Sequence, residues 1–120
     1  MTAERDYRDF LEDLVGACRS IIGFVEGMSF ETYLADEKTR FAVMRGYEIM
    51  GEATRHLPLA LKEANADIPW VYMAAVRNRI AHGYFGLDDL LLFETIEARL
   101  KWLPPRLEAQ ARAYRGGDRQ

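Results

Sequence analysis

The chain has 120 residues and a mass of 13.8 kDa, with 49% hydrophobic and 29% charged residues. That size and balance predict one folded domain with its own core and argue against a disordered chain. A single cysteine excludes an intramolecular disulfide and a zinc site built from cysteines, and two histidines disfavour a histidine-rich metal centre. The net charge of -3 gives no overall basic field for nucleic acid.

The charge is distributed unevenly along the chain. Residues 1–67 hold 8 basic and 13 acidic side chains, whereas residues 68–120 hold 8 basic and 6 acidic ones. Most of the basic residues are arginine, whose planar guanidinium suits phosphate and carboxylate groups. The charged start of the chain and the absence of a long apolar run predict a cytoplasmic protein without a secretion signal or a membrane span.

The hydrophobic spacing predicts an all-α fold, an up-and-down bundle of four main helices plus short helices. The first main helix carries an apolar stripe from Tyr7 to Val25, and Gly27 is expected to end it. Cys18 lies within this stripe and is predicted to be a small buried hydrophobe. Ser29 is expected to cap a short turn that follows.

The second main helix is predicted over residues 36–57, closed by Pro58, and a brief helix over 59–65 follows it. Gly46 and Gly51 lie inside the second helix, where a glycine costs about 1 kcal/mol relative to alanine. Close packing against other helices is the expected compensation.

Asp67 is expected to cap the third main helix, with Pro69 in its first turn and its end at His82 and Gly83. A fourth main helix is predicted to begin at Asp88 and to be broken by the prolines at 104 and 105.

A last helix is predicted over roughly residues 105–114. The chain is therefore interpreted as a single helical domain over residues 1–114, followed by a polar, disordered tail over 115–120.

Several conspicuous side chains are assigned structural roles. Trp70 and Trp102 are predicted to be packing residues rather than platforms for nucleic-acid bases, and Tyr47 is predicted to lie in the core. His56, near a helix end, is predicted to be a surface cap.

Glu52 has two candidate partners. It lies three residues before Arg55, a spacing that favours an ion pair along one helix. The alternative is that it orients Arg77 or Arg79 across the bundle.

The segment that carries the most chemistry runs from Arg77 to Tyr84 and includes Asn78, Arg79 and His82. Arginines bind phosphate through forked, charge-assisted hydrogen bonds, and histidine changes its charge near neutral pH and therefore suits proton transfer. The negative end of the helix dipole would favour the protonated imidazole. The residues alone leave two interpretations open, a phosphate-binding or catalytic site and a histidine cap beside arginines that pair with acidic neighbours.

The spacing within this segment raises a geometric question. Arg77 and His82 would point about 140° apart on a regular helix. If the helix ends near Ala81, His82 can turn back toward Arg77. In the alternative arrangement, a two-fold dimer along this helix brings the residues of two subunits to one groove.

The segment Arg77 to Tyr84 resembles the R-x4-H-x-Y motif of HEPN-domain ribonuclease toxins of the HepT type. Gly51-Glu52-Ala53 resembles the GEA helix of that family, and Ile68-Pro69-Trp70 resembles the start of its motif helix. The similarity covers roughly residues 30–100, and the three elements together are far more specific than the R-x4-H spacing alone. Gly83 departs from the family, which often has an acidic residue there.

The resemblance implies a HEPN-like bundle that forms a homodimer and partners a minimal nucleotidyltransferase antitoxin in a type VII-like toxin–antitoxin system. It implies an endoribonuclease that uses no metal or cofactor and acts on RNA, with transfer RNA as the substrate class. By position, Arg77 and His82 would be catalytic, and Asn78 matches the polar residue that follows the motif arginine. Tyr84 would be the residue to which the antitoxin attaches AMP to silence the nuclease.

On this hypothesis, His82 assists attack of a ribose 2′-OH on the adjacent phosphorus or protonates the leaving oxygen, and Arg77 stabilises the developing charge. Two other functions stay open. One is a non-catalytic nucleotide- or substrate-binding subunit that partners a nucleotidyltransferase, and the other is a purely structural dimerisation module.

Overall fold

Seven α-helices and one 3₁₀ turn form the parts of the chain described by a computed structural model, residues 5–83 and 87–114. These ranges contain no strand, so the predicted all-α class is confirmed. Tyr84 and the predicted tail over residues 115–120 fall outside them.

The helices account for the predicted main and short elements. Within the described ranges, none of them has the length and apolar character that crossing a membrane requires. In chain order they are α1 Tyr7–Phe24, α2 Phe30–Ala35, α3 Glu37–Arg55, α4 Leu59–Ala64, α5 Trp70–Ala81, α6 Asp89–Ala98 and α7 Leu103–Ala113, with the 3₁₀ turn Leu100–Trp102 before α7.

Short polar side chains start several of these helices. Ser29 accepts a hydrogen bond from the backbone N–H of Thr32 and caps α2, and Asp88 accepts one from Leu91 and caps α6. Both caps are confirmed. Each oxygen satisfies an N–H group that has no partner inside the first turn of the helix.

Two expected helix starts or ends near proline were wrong. Helix α5 begins at Trp70 without a side-chain cap, and Asp67 instead pairs with Arg106 of α7. The residue before a proline is driven out of the helical region, so the helix cannot start as early as Ile68. The prolines at 104 and 105 do not break the fourth main helix, because α6 already ends at Ala98 and both prolines lie in the first turn of α7.

The end of α1 was also predicted too late. The helix stops at Phe24, and Gly27 lies in the turn that follows, with a φ of 77°. That left-handed conformation favours glycine, so the residue serves the turn and not the last helical position.

Helices α1 and α3 form the centre of the bundle. Helix α3 packs against both α1 and α5, and α7 covers another side of α1. Tyr47 is fully buried, as predicted, and its hydroxyl donates to the backbone carbonyl of Leu92 at 3.1 Å. Trp70 is buried as predicted, but Trp102 is 70% exposed, so the packing prediction is wrong for it. Trp102 ends the 3₁₀ turn between α6 and α7, where the apolar periodicity of the helices no longer applies.

Two interior glycines allow the central helices to approach closely, as predicted. A Cβ added to Gly46 would lie 2.5 Å from Cγ1 of Ile21. A Cβ added to Gly51 would lie 2.3 Å from Cβ of Arg77 and 2.7 Å from the carbonyl oxygen of Met73. The contact at Gly51 therefore places the stem of Arg77 directly against α3.

Cys18 is fully buried in the core, as predicted. Its thiol lies 3.1 Å from the carbonyl oxygen of Leu100, to which it donates. Burial raises the pKa of the thiol to about 12, so the side chain behaves as a neutral hydrophobe at physiological pH.

Helix α7 packs against α1, and the residue that follows α7 contacts the start of α1. The hydroxyl of Tyr114 donates to Oδ2 of Asp6 at 3.0 Å, and the rings of Tyr7 and Tyr114 meet edge to face with centroids 4.8 Å apart. Arg19 of α1 and Glu108 of α7 form an ion pair at 2.7 Å. The first and last described helices thus pair with each other.

Candidate active site

The candidate residues lie at the carboxyl end of helix α5. The helix ends at Ala81, His82 occupies the C-cap position and Gly83 has a φ of 95°. The backbone N–H of Gly83 donates to the carbonyl of Ile80 at 3.1 Å. The predicted end at His82 and Gly83 is confirmed, and the left-handed glycine turns the chain away immediately after the histidine.

Arg77 is held between two helices. Its Cβ packs against Gly51 of α3, and its side chain is 30% exposed. Nη2 lies 3.4 Å from Oε1 of Glu52, and Nη1 donates to Oδ1 of Asn78 at 3.2 Å. The guanidinium therefore has a fixed stem and two oriented nitrogen atoms.

The ring of His82 folds back over the last turn of α5. Its Nδ1 lies 2.7 Å from the carbonyl oxygen of Asn78. A carbonyl oxygen only accepts hydrogen bonds, so Nδ1 carries the proton of this bond. In the neutral ring, Nε2 is then the lone-pair nitrogen that can accept a proton, and the histidine is exposed.

Asn78 joins the two predicted catalytic residues. Its side chain accepts from Arg77, and its carbonyl accepts from His82. The helix ends at Ala81, and the ring of His82 turns back onto the carbonyl oxygen of Asn78, the residue that follows Arg77. Arg79 is exposed on the same helix, and its supporting role stays a prediction, as does the role of Tyr84 outside the described ranges.

Glu52 contacts both of the partners considered for it. Its Oε1 accepts from Nη1 of Arg55 at 3.1 Å and lies 3.4 Å from Arg77, while its Oε2 lies 3.2 Å from Nε2 of His56. The pKa of Glu52 is lowered, chiefly by the hydrogen bond from His56. Burial is the next largest effect and opposes this shift, and the charges of Arg55 and Arg77 lower the pKa further. The carboxylate is therefore the centre of a small charged network.

Sequence reasoning missed one member of this network. His56 is the C-cap residue of α3 and is partly exposed, as predicted, but its ring also stacks on Phe10 of α1. The ring centroids are 4.2 Å apart and the planes differ by 10°. The spacing of Glu52 and His56 at i,i+4 was a usable signal, whereas nothing in the sequence pairs Phe10 with a residue 46 positions away.

The residues that the structure describes form no cluster suited to holding a metal ion. No three His, Cys, Asp or Glu side chains in these ranges come close enough together to hold a metal ion. The chemistry that Arg77 and His82 offer is charge stabilisation and proton transfer.

We expect Glu52→Gln to lower the melting temperature by about 1–4 °C at neutral pH, as for an exposed ion pair, and to lose this effect in acid. The lowered pKa means that ionised Glu52 stabilises the fold above the ordinary carboxyl pKa of about 4.3. That contribution disappears as the pH falls through the lower pKa of the folded state. Thermal melts of both proteins at decreasing pH measure the gap, and a gap that stays constant in strong acid would contradict the prediction.

Comparisons with known proteins connect this chain to one family. The family model described as Ribonuclease HepT-like matches residues 14–113. The "Probable ribonuclease HepT" of Thermococcus cleftensis is 38% identical over 105 residues, which cover 88% of this chain and 96% of that protein. A "Putative RNase" of Caldanaerobacter subterraneus subsp. tengcongensis is 34% identical, over 88% of this chain and 90% of that protein. Another "Putative RNase", from Methanocaldococcus jannaschii, is 30% identical over 96% and 95% of the two chains. No solved structure matches this chain at a significant level.

Proposed function

This chain belongs to the HepT-like ribonuclease family and is therefore a ribonuclease, and we propose that it cuts RNA internally with Arg77 and His82 at the carboxyl end of α5. The observation that carries this assignment is the double contact of Asn78, which holds both side chains in one turn of chain. The family match over residues 14–113 includes all three residues.

His82 supplies the proton transfer. With Nδ1–H bonded to the carbonyl of Asn78, the neutral ring accepts the proton of a ribose 2′-OH at Nε2. The 2′ oxygen then attacks the adjacent phosphorus, the bond from phosphorus to the 5′ oxygen breaks, and the leaving oxygen takes a proton from the complementary acid. Because the nucleophile is part of the RNA itself, the reaction requires no metal-activated water.

Arg77 stabilises the negative charge that develops on the phosphoryl oxygens. A guanidinium has five N–H donors, so its contacts with Glu52 and Asn78 leave donors for a phosphate. The two protein contacts set the plane of the guanidinium, and binding of a phosphate therefore costs little additional ordering entropy.

The surface of α5 supports a homodimer. Val71 is 83% exposed, and Ala75, Asn78 and His82 are also exposed at positions four, seven and eleven residues further along. This spacing places the four residues along one face of the helix. A two-fold axis across that face would bring two copies of the site into one groove, and the second subunit would then supply the complementary acid.

The family resemblance supports a proposal for the substrate and the regulation. We propose transfer RNA as the substrate class and a toxin role opposed by a minimal nucleotidyltransferase antitoxin. Tyr84 lies two residues after His82 in the sequence. An AMP group on its hydroxyl would be a bulky anion that competes with the RNA phosphate for the arginines.

Cleavage of total transfer RNA in the presence of EDTA tests this function. The protein used is one whose mass shows an unmodified Tyr84, and His82→Ala is assayed beside it. We expect the wild type to cut and the variant to lose at least about 100-fold in rate. Equal cutting by His82→Ala would remove the histidine from the reaction, and absence of cutting by the wild type would favour a nucleotide-binding subunit of a nucleotidyltransferase.

A further inference from the structure

A series of four contacts links Arg5 near the start of the described chain to Arg77. The guanidinium of Arg5 lies 4.4 Å from the ring centroid of Phe10, and Phe10 stacks on His56. His56 Nε2 lies 3.2 Å from Oε2 of Glu52, and Oε1 of the same carboxylate lies 3.4 Å from Arg77. The Glu52 carboxylate therefore connects α3 to α5 directly and to α1 through His56.

We propose that His56 is a positioning residue for Arg77, acting through Glu52 and held in place by Phe10. The Phe10–His56 stack fixes one oxygen of the carboxylate, and the carboxylate fixes the guanidinium. The catalytic consequence rests on the function proposed above, whereas the ordering of Arg77 does not.

The two oxygens of Glu52 explain why His56 matters. Oε1 is shared between Arg55 and Arg77, so these two guanidinium groups compete for it. Arg55 is on the same helix as Glu52, and its side chain is 57% exposed. Without a hydrogen bond at Oε2, the carboxylate can rotate toward Arg55, and its ion pair with Arg77 is then weakened. The bond from His56 opposes that rotation.

The stack gives His56 a fixed reference outside its own helix. Phe10 is partly buried against the core on α1, and the nearly parallel rings leave the imidazole little freedom to turn. Nε2 of His56 therefore points at Glu52 from a defined position. The guanidinium of Arg55, in contrast, bonds to Glu52 itself and can follow the carboxylate as it rotates.

The expected effect is on the reaction and not on folding. Phe10, Glu52 and Arg77 line an open cleft of about 300 Å³, so the ion pairs around Glu52 are partly solvated and contribute little to stability. Catalysis is more sensitive, because a displacement of about 1 Å in a catalytic group can cost up to about 100-fold in rate. We therefore expect a loss in reaction rate of less than about 100-fold, with little change in the stability of the fold.

Two substitutions of His56 separate its hydrogen bond to Glu52 from its stacking on Phe10. His56→Phe keeps an aromatic ring on Phe10 but removes the N–H donor, and we expect kcat to fall about tenfold with KM nearly unchanged. His56→Gln places an amide N–H at a similar distance from the backbone and should restore most of the rate. In a Glu52→Ala background, which removes both side-chain oxygens, His56→Phe should cause no further loss, because its effect passes through Glu52.

The matched control is Lys101→Met. Lys101 and Glu97 form another exposed i,i+4 pair, at 3.0 Å, on α6 and the 3₁₀ turn. This variant should keep the wild-type kcat. A kcat for His56→Phe equal to that of the wild type would overturn the proposal. So would a loss of kcat on adding His56→Phe to Glu52→Ala that is as large as its loss in the wild type.

A second measurement does not depend on RNA cleavage. The Nε–H signal of Arg77 in ¹H–¹⁵N spectra, assigned by its loss in Arg77→Lys, reports the order of the guanidinium. We expect this signal to shift or broaden in His56→Phe and to stay near its wild-type position in His56→Gln and Lys101→Met. An unchanged signal in His56→Phe would overturn the proposal even for a protein that cuts no RNA, and a changed signal in such a protein would support it while the proposed function failed.

Discussion

Arg77→Ala should lower kcat/KM for RNA cleavage by about 100- to 1,000-fold, the usual effect of removing one group that stabilises developing charge. The loss should fall mainly on kcat, because the guanidinium interacts most strongly with the charge of the transition state. The fold should tolerate the change. Alanine keeps the Cβ that packs on Gly51, and the ion pair with Glu52 is partly exposed. Steady-state cleavage of transfer RNA measures the first effect, and thermal melts measure the second.

Two further variants test whether the effect is specific to the guanidinium of Arg77. Arg77→Lys keeps the charge but loses the planar fork that contacts both Glu52 and Asn78, so it should recover only a small part of the activity. Arg19→Ala removes an arginine that forms an ion pair with Glu108 between α1 and α7, and it should cut RNA like the wild type. A rate for Arg77→Ala within about threefold of the wild type would be too small an effect for charge stabilisation of the transition state.

Gly51→Ala should destabilise the fold by about 2–3 kcal/mol, near the upper end of the cost of overpacking a core. The new methyl group would lie 2.3 Å from Cβ of Arg77 and 2.7 Å from the carbonyl oxygen of Met73. Neither atom is the flexible end of a side chain, so α3 and α5 have to separate. For a domain of this size the melting temperature should fall by about 10 °C or more. Because Arg77 moves with α5, cleavage measured well below the melting temperature should also decrease.

Two other glycines provide an internal scale for that measurement. At Gly46→Ala the close contacts are with the side chain of Ile21, and the nearest backbone atom, the carbonyl oxygen of Ala17, is at an ordinary distance of 3.7 Å. A side chain can shift more easily than a backbone, so the cost should be smaller than that of Gly51→Ala. Gly16→Ala on α1 meets nothing within 4 Å and should stabilise the helix by up to about 1 kcal/mol. Urea unfolding of the three variants should give the order Gly51, Gly46, Gly16 from most to least destabilised. A Gly51→Ala protein as stable as Gly16→Ala would show that the two helices are not in close contact there.

Local signals predicted the fold where nothing distant competes with them. Ser29 and Asp88 cap helices because each oxygen bonds an N–H three residues away, within the same turn. Asp67 has the same chemistry but bonds to Arg106, 39 residues later, and no local pattern indicates that choice. The packing prediction for Trp102 was wrong for a related reason. An aromatic residue type does not by itself indicate whether a side chain in a 3₁₀ turn points to the core or to solvent.

The residues of the candidate site that are close in sequence could be predicted, whereas the contact between distant segments could not. The resemblance based on residues 51–53, 68–70 and 77–84 is confirmed by the family match. Glu52 was expected to pair along its helix or across the bundle, and it does both. The stack of Phe10 on His56 could not be predicted, because it depends on how α1 lies beside the end of α3.

The pairing of α1 with α7 has a consequence for synthesis of the protein on the ribosome. Arg19 and Glu108 are 89 residues apart, so at about 5–20 residues per second the first helix waits about 4–18 s for its last partner. During that time α3 can already cover one side of α1, since both lie in the first half of the chain. The side of α1 that faces α7 stays uncovered until α7 has been synthesised, so the nascent chain is most exposed to chaperones and proteases along that face.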